Sequence, residues 1–373
     1  MLILGALWYM SRTTDRRGGR DGSPRVVVVD DSPFMRGLIS DLLDDAGVAV
    51  VGEAGDGEEA LSVVAETRPD VVTMDVEMPG MGGLEAVERL MEETPTPVLM
   101  LSAHTDEGAE VTFEALDRGA VDFFAKPGGE VSTGVSRESE RLVEAVRSVA
   151  GADLDAATRE RDEPSSAASR SPDAGSDADA DDVDGPLTAV IAASTGGPNA
   201  VERVLSALPM ADCRVVIVQH MPEAFTSRFA DRLDAASAYD VREASDGARI
   251  GAGEAIVARG GSHTLVDSYR AGRLRVKLDE DDDSHTVTPA ADVTMRSAAE
   301  VIDDPLVGVV LTGMGSDAAE GIRAMADAGG RTLAQSEDTC VIYGMPKRAV
   351  ETGGVDKVYD LDDVAGAIVG GEA

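Results

Sequence analysis

Two long stretches of this chain alternate short, continuous apolar runs with amphipathic ones, and that alternation restricts the fold more than any other feature. In the first stretch, residues 25–29, 48–51, 70–74, 97–101 and 121–124 are rich in Val, Ile, Leu and Met and read as strands. Between them, 32–46, 57–67, 83–93, 106–118 and 138–149 carry apolar residues at helical spacing. Strands apolar on both faces have to be covered on both faces, which implies a parallel sheet with helices on each side. The pattern resumes after residue 187. Strands are predicted at 187–191, 214–218, 255–258, 306–311 and 331–334, with helices at 200–209, 223–236, 291–301 and 318–328. A further pair, 262–269 and 274–278, is predicted to associate. The fold class is α/β: two doubly wound parallel-sheet domains, 25–150 and 187–370.

The segment joining them, 151–186, is mostly Ala, Ser, Asp and Glu and has few large apolar residues. Such a composition cannot bury enough surface to offset the entropy of ordering, so it reads as a flexible acidic tether. Residues 1–24 begin with ten mostly apolar residues, too few to span a bilayer, followed by Arg12, Arg16, Arg17 and Arg20. They read as a disordered extension or a start assigned too early, without stable membrane insertion. The 373 residues carry a net charge of −37, which argues against nucleic acid and anionic membranes as partners. Lysine occurs only at 126, 277, 347 and 357. An acidic, lysine-poor, folded chain fits a cytoplasm of molar salt, where counter-ions screen self-repulsion. Cys213 and Cys340 are too isolated for a disulfide framework or a zinc site and read as buried hydrophobes in a reducing compartment.

Parallel sheets bind ligands at the carboxyl ends of their strands. In the first domain those ends carry Asp30, Asp31, Asp75, Ser102 and Lys126. Packed carboxylates repel unless a hard divalent cation joins them, and Mg²⁺ suits oxygen ligands with open water positions. A phosphoryl group bridged by Mg²⁺ and paired with Lys126 uses all five. Taken singly, each residue also reads as a turn or capping residue. The runs Val-Asp30-Asp31-Ser, Met-Asp75-Val-Glu-Met-Pro-Gly-Met-Gly-Gly, Leu-Ser102-Ala and Phe-Phe-Ala-Lys126-Pro127 closely resemble the response-regulator receiver domain. That resemblance implies that Asp75 accepts a phosphoryl group from a histidine kinase. It further implies that Asp30, Asp31, Asp75 and the backbone carbonyl of Glu77 surround Mg²⁺. Ser102 and Lys126 would bind phosphoryl oxygens, and Phe123 falls at the aromatic switch position. Gly82 departs from the usual Asp of a Met-Asp-Gly run, a change in a turn.

In the second domain, Ala192-Ala-Ser-Thr-Gly-Gly-Pro-Asn199 places Ser194 on a strand-to-helix turn. Gly196 and Gly197 suit a tight bend, and Pro198 a first helical turn. Two further strand ends carry His220 and Asp317. Nucleophile, base and orienting carboxylate on one sheet edge are the components of a hydrolytic triad. Gly313 and Gly315 free the backbone N–H of Met314 as a candidate oxyanion donor. Against this stand a capping serine, a loop histidine and a capping aspartate. No G-x-S-x-G run is present, so an ordinary α/β-hydrolase elbow is excluded. His263 and His285 read as polar loop residues near the cleft; His104 is the remaining histidine.

Ala193-Ser194-Thr-Gly-Gly-Pro, Val-Gln219-His220-Met-Pro, Leu-Thr-Gly-Met314-Gly-Ser-Asp317 and Ala-Gln335-Ser-Glu-Asp-Thr-Cys-Val-Ile-Tyr-Gly-Met-Pro346 extend the resemblance. Receiver, linker and second domain together resemble the chemotaxis response-regulator protein-glutamate methylesterases over nearly the whole chain. The resemblance implies hydrolysis of glutamate γ-methyl esters on chemoreceptor cytoplasmic helices and, in many members, deamidation of receptor glutamines. It implies Ser194 as nucleophile, His220 as base, Asp317 as its partner, and Thr195 and Met314 at the oxyanion, with no cofactor for the esterase. Two alternatives are a nucleotide-binding module, in which Ser194 only caps a phosphate-cradling turn, and a phospho-controlled adaptor with an idle second domain. The first lacks a G-x-G-x-x-G run and leaves His220 and Asp317 unused.

Overall fold

A computed structural model describes residues 22–102, 106–126, 135–162, 185–280 and 285–370. Residues 1–21, most of the segment expected to be a tether, and His104 lie outside these. The first domain runs β1 (Arg25–Val29), α1 (Pro33–Asp45), β2 (Ala49–Ala54), α2 (Gly57–Thr67), β3 (Val71–Asp75), α3 (Gly83–Glu93), β4 (Val98–Ser102), α4 (Asp106–Asp117), β5 (Asp122–Ala125) and α5 (Val135–Val149). All five strands are parallel, in the order β2-β1-β3-β4-β5. Strands β3 and β4 are buried at every residue, as their unbroken apolar runs require. Local chemistry starts the helices. The Ser32 hydroxyl accepts the Met35 N–H ahead of α1, and Asp56 accepts the Glu59 N–H ahead of α2.

The expected tether does not begin at residue 151. Its first residues form α6 (Leu154–Asp162). Asp153 accepts the N–H groups of Asp155 and Ala156 as a cap, Ala156 is buried, and the Asp153 N–H donates to the Val341 carbonyl of the second domain at 3.0 Å. Packing against both domains orders a stretch that composition alone assigns to a linker.

The second domain contains β6 (Leu187–Ala193), α7 (Gly197–Ala207), β7 (Cys213–Gln219), α8 (Glu223–Ala236), β8 (Asp240–Glu243), β9 (Arg249–Ile250), β10 (Glu254–Val257), β11 (His263–Arg270), β12 (Arg273–Asp279), α9 (Ala291–Val301), β13 (Leu306–Val310), α10 (Ala319–Asp327), β14 (Arg331–Gln335), α11 (Met345–Glu351), β15 (Lys357–Tyr359) and α12 (Leu361–Val369). Seven strands form a parallel sheet, β15-β14-β13-β6-β7-β10-β8. The chain leaves β6 for β7 on one side and returns as β13 on the other. The carboxyl end of β6 is therefore a topological switch point, where open α/β sheets form their crevice. The predicted pairing of 262–269 with 274–278 is present as antiparallel β11 and β12, which β9 extends to a three-stranded sheet beside the main one. Edge strands β8 and β15 escape the apolar pattern because they are short and largely polar or exposed.

The two domains pack directly. Helix α4 lies on α8, and the Phe113 and Phe229 rings stack at 5.9 Å. Phe123 on β5 lies 4.6 Å from Phe225 on α8. Arg232 of α8 reaches Asp117 at 2.7 Å and donates to the Phe113 carbonyl at 3.3 Å. Among the described residues no helix is long and apolar enough to cross a membrane, and both cysteines are buried.

Candidate active site

Ser194 follows directly on β6, and its backbone is held from three directions. Its N–H donates to the Thr312 carbonyl at 3.0 Å; its carbonyl accepts the Gly197 N–H at 2.7 Å and the Gln219 side-chain amide at 2.9 Å. Gly196 has φ +75°, the left-handed conformation that turns the strand into α7. Gly313 serves by its smallness: a Cβ there would lie 2.8 Å from the Ser194 Cβ, so only glycine lets the segment after β13 approach the serine this closely.

The structure brings His220 and Asp317 together from the ends of β7 and β13, with Nε2 to Oδ2 at 2.7 Å. Asp317 is gripped at both oxygens. Oδ2 also accepts the Ala291 N–H at 2.6 Å, and Oδ1 accepts the Asp292 N–H at 3.0 Å. Burial works to raise the Asp317 pKa, but the hydrogen bond and charge of His220, with the two helix-start amides, overcome it and hold the carboxyl at about 2. A permanently ionised Asp317 fixes the Nε2–H tautomer of His220 and leaves Nδ1 as its basic nitrogen.

Ser194, Thr195, His220, Met314 and Asp317 line one cleft of about 390 Å³. Among the described residues the backbone N–H groups of Thr195 and Met314 have no hydrogen-bond partner, which leaves both open to a developing oxyanion. The opposite wall belongs to the first domain and includes Asp122, Phe123, Arg141 and Glu144. Asp122 accepts the Phe123 N–H at 2.9 Å and lines the cleft together with Thr195, and burial pushes its carboxyl up to about 7.

Several participants do not stand out in the sequence. Gln219, Thr312 and Gln335 form a buried polar frame behind Ser194: Gln335 accepts the Thr312 N–H at 2.8 Å, and the Thr312 hydroxyl donates to the Thr195 carbonyl at 3.0 Å. A polar residue at the buried carboxyl end of a strand, after its apolar residues, is the signal that marks Gln219 and Gln335. Gly197 is needed for space beside Gln219 and Ala193 rather than for the bend. His263, read as a loop residue, instead begins β11 and is buried, with its ring 5.4 Å from that of His285.

The first domain has its own constellation. Asp30, Asp31 and Asp75 each offer a carboxylate oxygen within 4.8 Å of the others. Lys126 Nζ lies 2.9 Å from Asp30 and 2.7 Å from Asp75. Burial lowers the Lys126 pKa, but the two carboxylates outweigh it and hold the ammonium above the ordinary lysine value. Three hard carboxylate donors this close, with Asp30 Oδ2 buried and met only by the Lys126 ammonium among the described residues, fit a divalent cation. The Glu77 N–H lies 3.4 Å from Asp75 Oδ1. Ser102 is fully buried, its hydroxyl 3.2 Å from the Gly108 carbonyl, and Phe123 is turned inward between Phe113 and Phe225.

Fold and site together define an α/β output domain, with a hydrolase-type residue set at its switch point, joined to an α/β domain with an acidic rim. The family model for CheB methylesterase matches residues 189–368, and that for the response regulator receiver domain matches 26–132. A protein-glutamate methylesterase/protein-glutamine glutaminase of Haloarcula marismortui is 58% identical over 92% of this chain and 96% of its own length. One of the same description from Halobacterium salinarum is 57% identical over the same shares. The crystal structure of the Thermotoga maritima CheB methylesterase catalytic domain is 35% identical, covering 50% of this chain and 98% of that one with a TM-score of 0.47. The chain belongs to the CheB methylesterase family and carries a receiver domain at its amino-terminal side.

Proposed function

We propose that this chain hydrolyses γ-methyl esters of glutamate side chains on the cytoplasmic helices of chemoreceptors, with Ser194 as nucleophile, and that phosphorylation of Asp75 releases this activity. The observation that carries the reading is the His220–Asp317 pair at 2.7 Å in the cleft that also holds Ser194 and two unpaired N–H groups. Ser194 Oγ attacks the ester carbonyl while its proton passes to His220 Nδ1. The tetrahedral oxyanion is held by the Thr195 and Met314 amides, and Asp317 stabilises the imidazolium. His220 returns the proton to the departing methoxide, giving methanol and an acyl-enzyme that water then hydrolyses by the same route. A glutamine substrate follows the same steps with ammonia as leaving group, in keeping with the glutaminase names of the relatives.

Control by the receiver is supported by the position of β5. Asp122 lines the cleft with Thr195, Phe123 packs on Phe225, and Lys126, just past the strand, grips Asp75. Asp122, Phe123, Arg141 and Glu144 of the receiver wall the cleft that holds Ser194, so parting of the domains would widen the approach of a receptor helix to the serine. A cytoplasmic chemotaxis histidine kinase would donate the phosphoryl group. Asp30, Asp31, Asp75 and the Glu77 carbonyl would hold Mg²⁺, which supplies charge neutralisation during phosphoryl transfer. Lys126 and Ser102 then move toward the phosphoryl oxygens, pulling on β5 and its contacts with the catalytic domain.

A fluorophosphonate probe tests the catalytic reading, because only an activated serine reacts with it. The full chain should label at Ser194 and the Ser194→Ala variant should not. Failure of the intact, folded chain to label would support the idle-adaptor alternative.

A further inference from the structure

The grip on Asp317 has a source outside the triad. Helix α9 begins without a capping side chain, since its cap residue is Ala290. The Asp317 carboxylate takes that place from another element, accepting the Ala291 and Asp292 N–H groups at 2.6 and 3.0 Å. The preceding amide, Ala290 N–H, donates to Nδ1 of His263 at 3.1 Å. His263 is 1% exposed and lies where β11 starts. Two further bonds tie α9 to the same strand: the Thr294 hydroxyl donates to the Thr264 carbonyl at 2.6 Å, and the Val266 N–H donates to the Ser297 hydroxyl at 2.9 Å. From the other side, Asp292 Oδ1 accepts the Gly321 N–H at 2.6 Å, joining α9 to α10.

We propose that His263 is a positioning residue of the esterase reaction: by accepting the Ala290 N–H it sets the orientation of the two α9 amides that hold Asp317 against His220. The proposal deepens the triad reading and rests on it. Successive amides at a helix start share one backbone path, so turning Ala290 turns Ala291 and Asp292 as well. The Thr294 and Ser297 bonds hold the body of α9 at fixed height on β11 and leave its first amides to His263. The acceptor has to sit at the Nδ1 position. Asparagine places an amide oxygen near that point, glutamine places one near Nε2, and leucine places none.

The test uses the full chain with Mg²⁺ and saturating acetyl phosphate. It measures kcat and KM for methanol release together with the rate of fluorophosphonate labelling, which does not depend on receptor docking. His263→Leu should lower kcat and the labelling rate by about 10- to 100-fold with KM little changed, as a misplacement remote from the chemistry does. His263→Asn should recover to within about threefold of the parent, whereas His263→Gln should not. In an Asp317→Asn background, where the grip no longer orients an ionised carboxylate, His263→Leu should cost less than about threefold more. A merely structural histidine would cost the same in both backgrounds. Equal activities for the Asn and Gln variants, or a full loss added to Asp317→Asn, would overturn the proposal, and the Asn–Gln comparison decides the matter if the Leu variant does not fold. Should Asp317→Asn itself leave kcat unchanged, the triad reading fails instead, so the two failures are distinguishable.

Discussion

The Phe123 ring lies 4.6 Å from that of Phe225, which places strand β5 of the receiver directly on a helix of the methylesterase domain. Three residues later Lys126 holds Asp75 at 2.7 Å, and one residue earlier Asp122 meets Thr195. A four-residue strand thus joins the acidic rim of the receiver to the cleft that holds Ser194.

Truncating that contact should loosen the closed arrangement. Phe123 is 9% exposed and packs between Phe113 and Phe225, so Phe123→Ala removes two ring contacts at once. Methanol release by the unphosphorylated chain is expected to rise about tenfold, the equivalent of ~1.4 kcal/mol of lost docking. Basal activity equal to that of the parent would mean that the ring pair does not hold the cleft shut.

Asp122 makes closure depend on pH. Its carboxyl titrates at about 7 in the closed arrangement, and exposure to water when the domains part would return it toward the ordinary carboxylate range. The docked form therefore holds the proton more tightly. This contribution to docking is complete below about pH 4 and is lost as the pH rises through about 7. Basal activity relative to the acetyl phosphate-stimulated activity should accordingly rise by up to about tenfold between pH 6 and 8, and Asp122→Asn should flatten that ratio. Dividing by the stimulated rate cancels the titration of the triad itself. A ratio already flat in the parent would remove Asp122 from the account.

Much of this was legible in the residues. The alternating apolar runs gave the two parallel sheets, and the polar residues closing those runs led to Ser194, His220, Asp317 and the acidic rim. Other features depend on partners distant in sequence. The polar strand β8 is defined by its pairing with β10, and α6 by packing that composition cannot reveal. His263 shows why a lone histidine is hard to read: its partner is a backbone amide 27 residues away. Asp122 looks like a strand-edge carboxylate until the fold places it in one cleft with Thr195 of the second domain.

The charge of −37 has a consequence for stability. Molar salt shortens the Debye length to about 3 Å, and dilution restores long-range repulsion among the surface carboxylates. Circular dichroism during dialysis from molar KCl into dilute buffer should show loss of helix and a falling melting temperature. The two halophilic archaeal relatives accord with this expectation. An unchanged spectrum and melting temperature would count against a salt-dependent fold.

Loss of the nucleophile should separate activity from folding. Ser194 is pinned by its backbone, and its hydroxyl has no hydrogen bond to another described residue. Ser194→Ala should therefore leave the melting temperature almost unchanged while lowering methanol release by on the order of 10⁴ to 10⁶. Near-normal turnover in this variant would rule out the assigned nucleophile.

The most direct test of receiver control is methanol release from methylated receptor membranes by the full chain, measured before and after addition of acetyl phosphate and Mg²⁺. The account predicts a rise in rate in the parent chain, no rise in Asp75→Ala, and no release in Ser194→Ala under either condition. An active parent whose rate is unchanged by acetyl phosphate, or an Asp75→Ala variant that responds as the parent does, would contradict it.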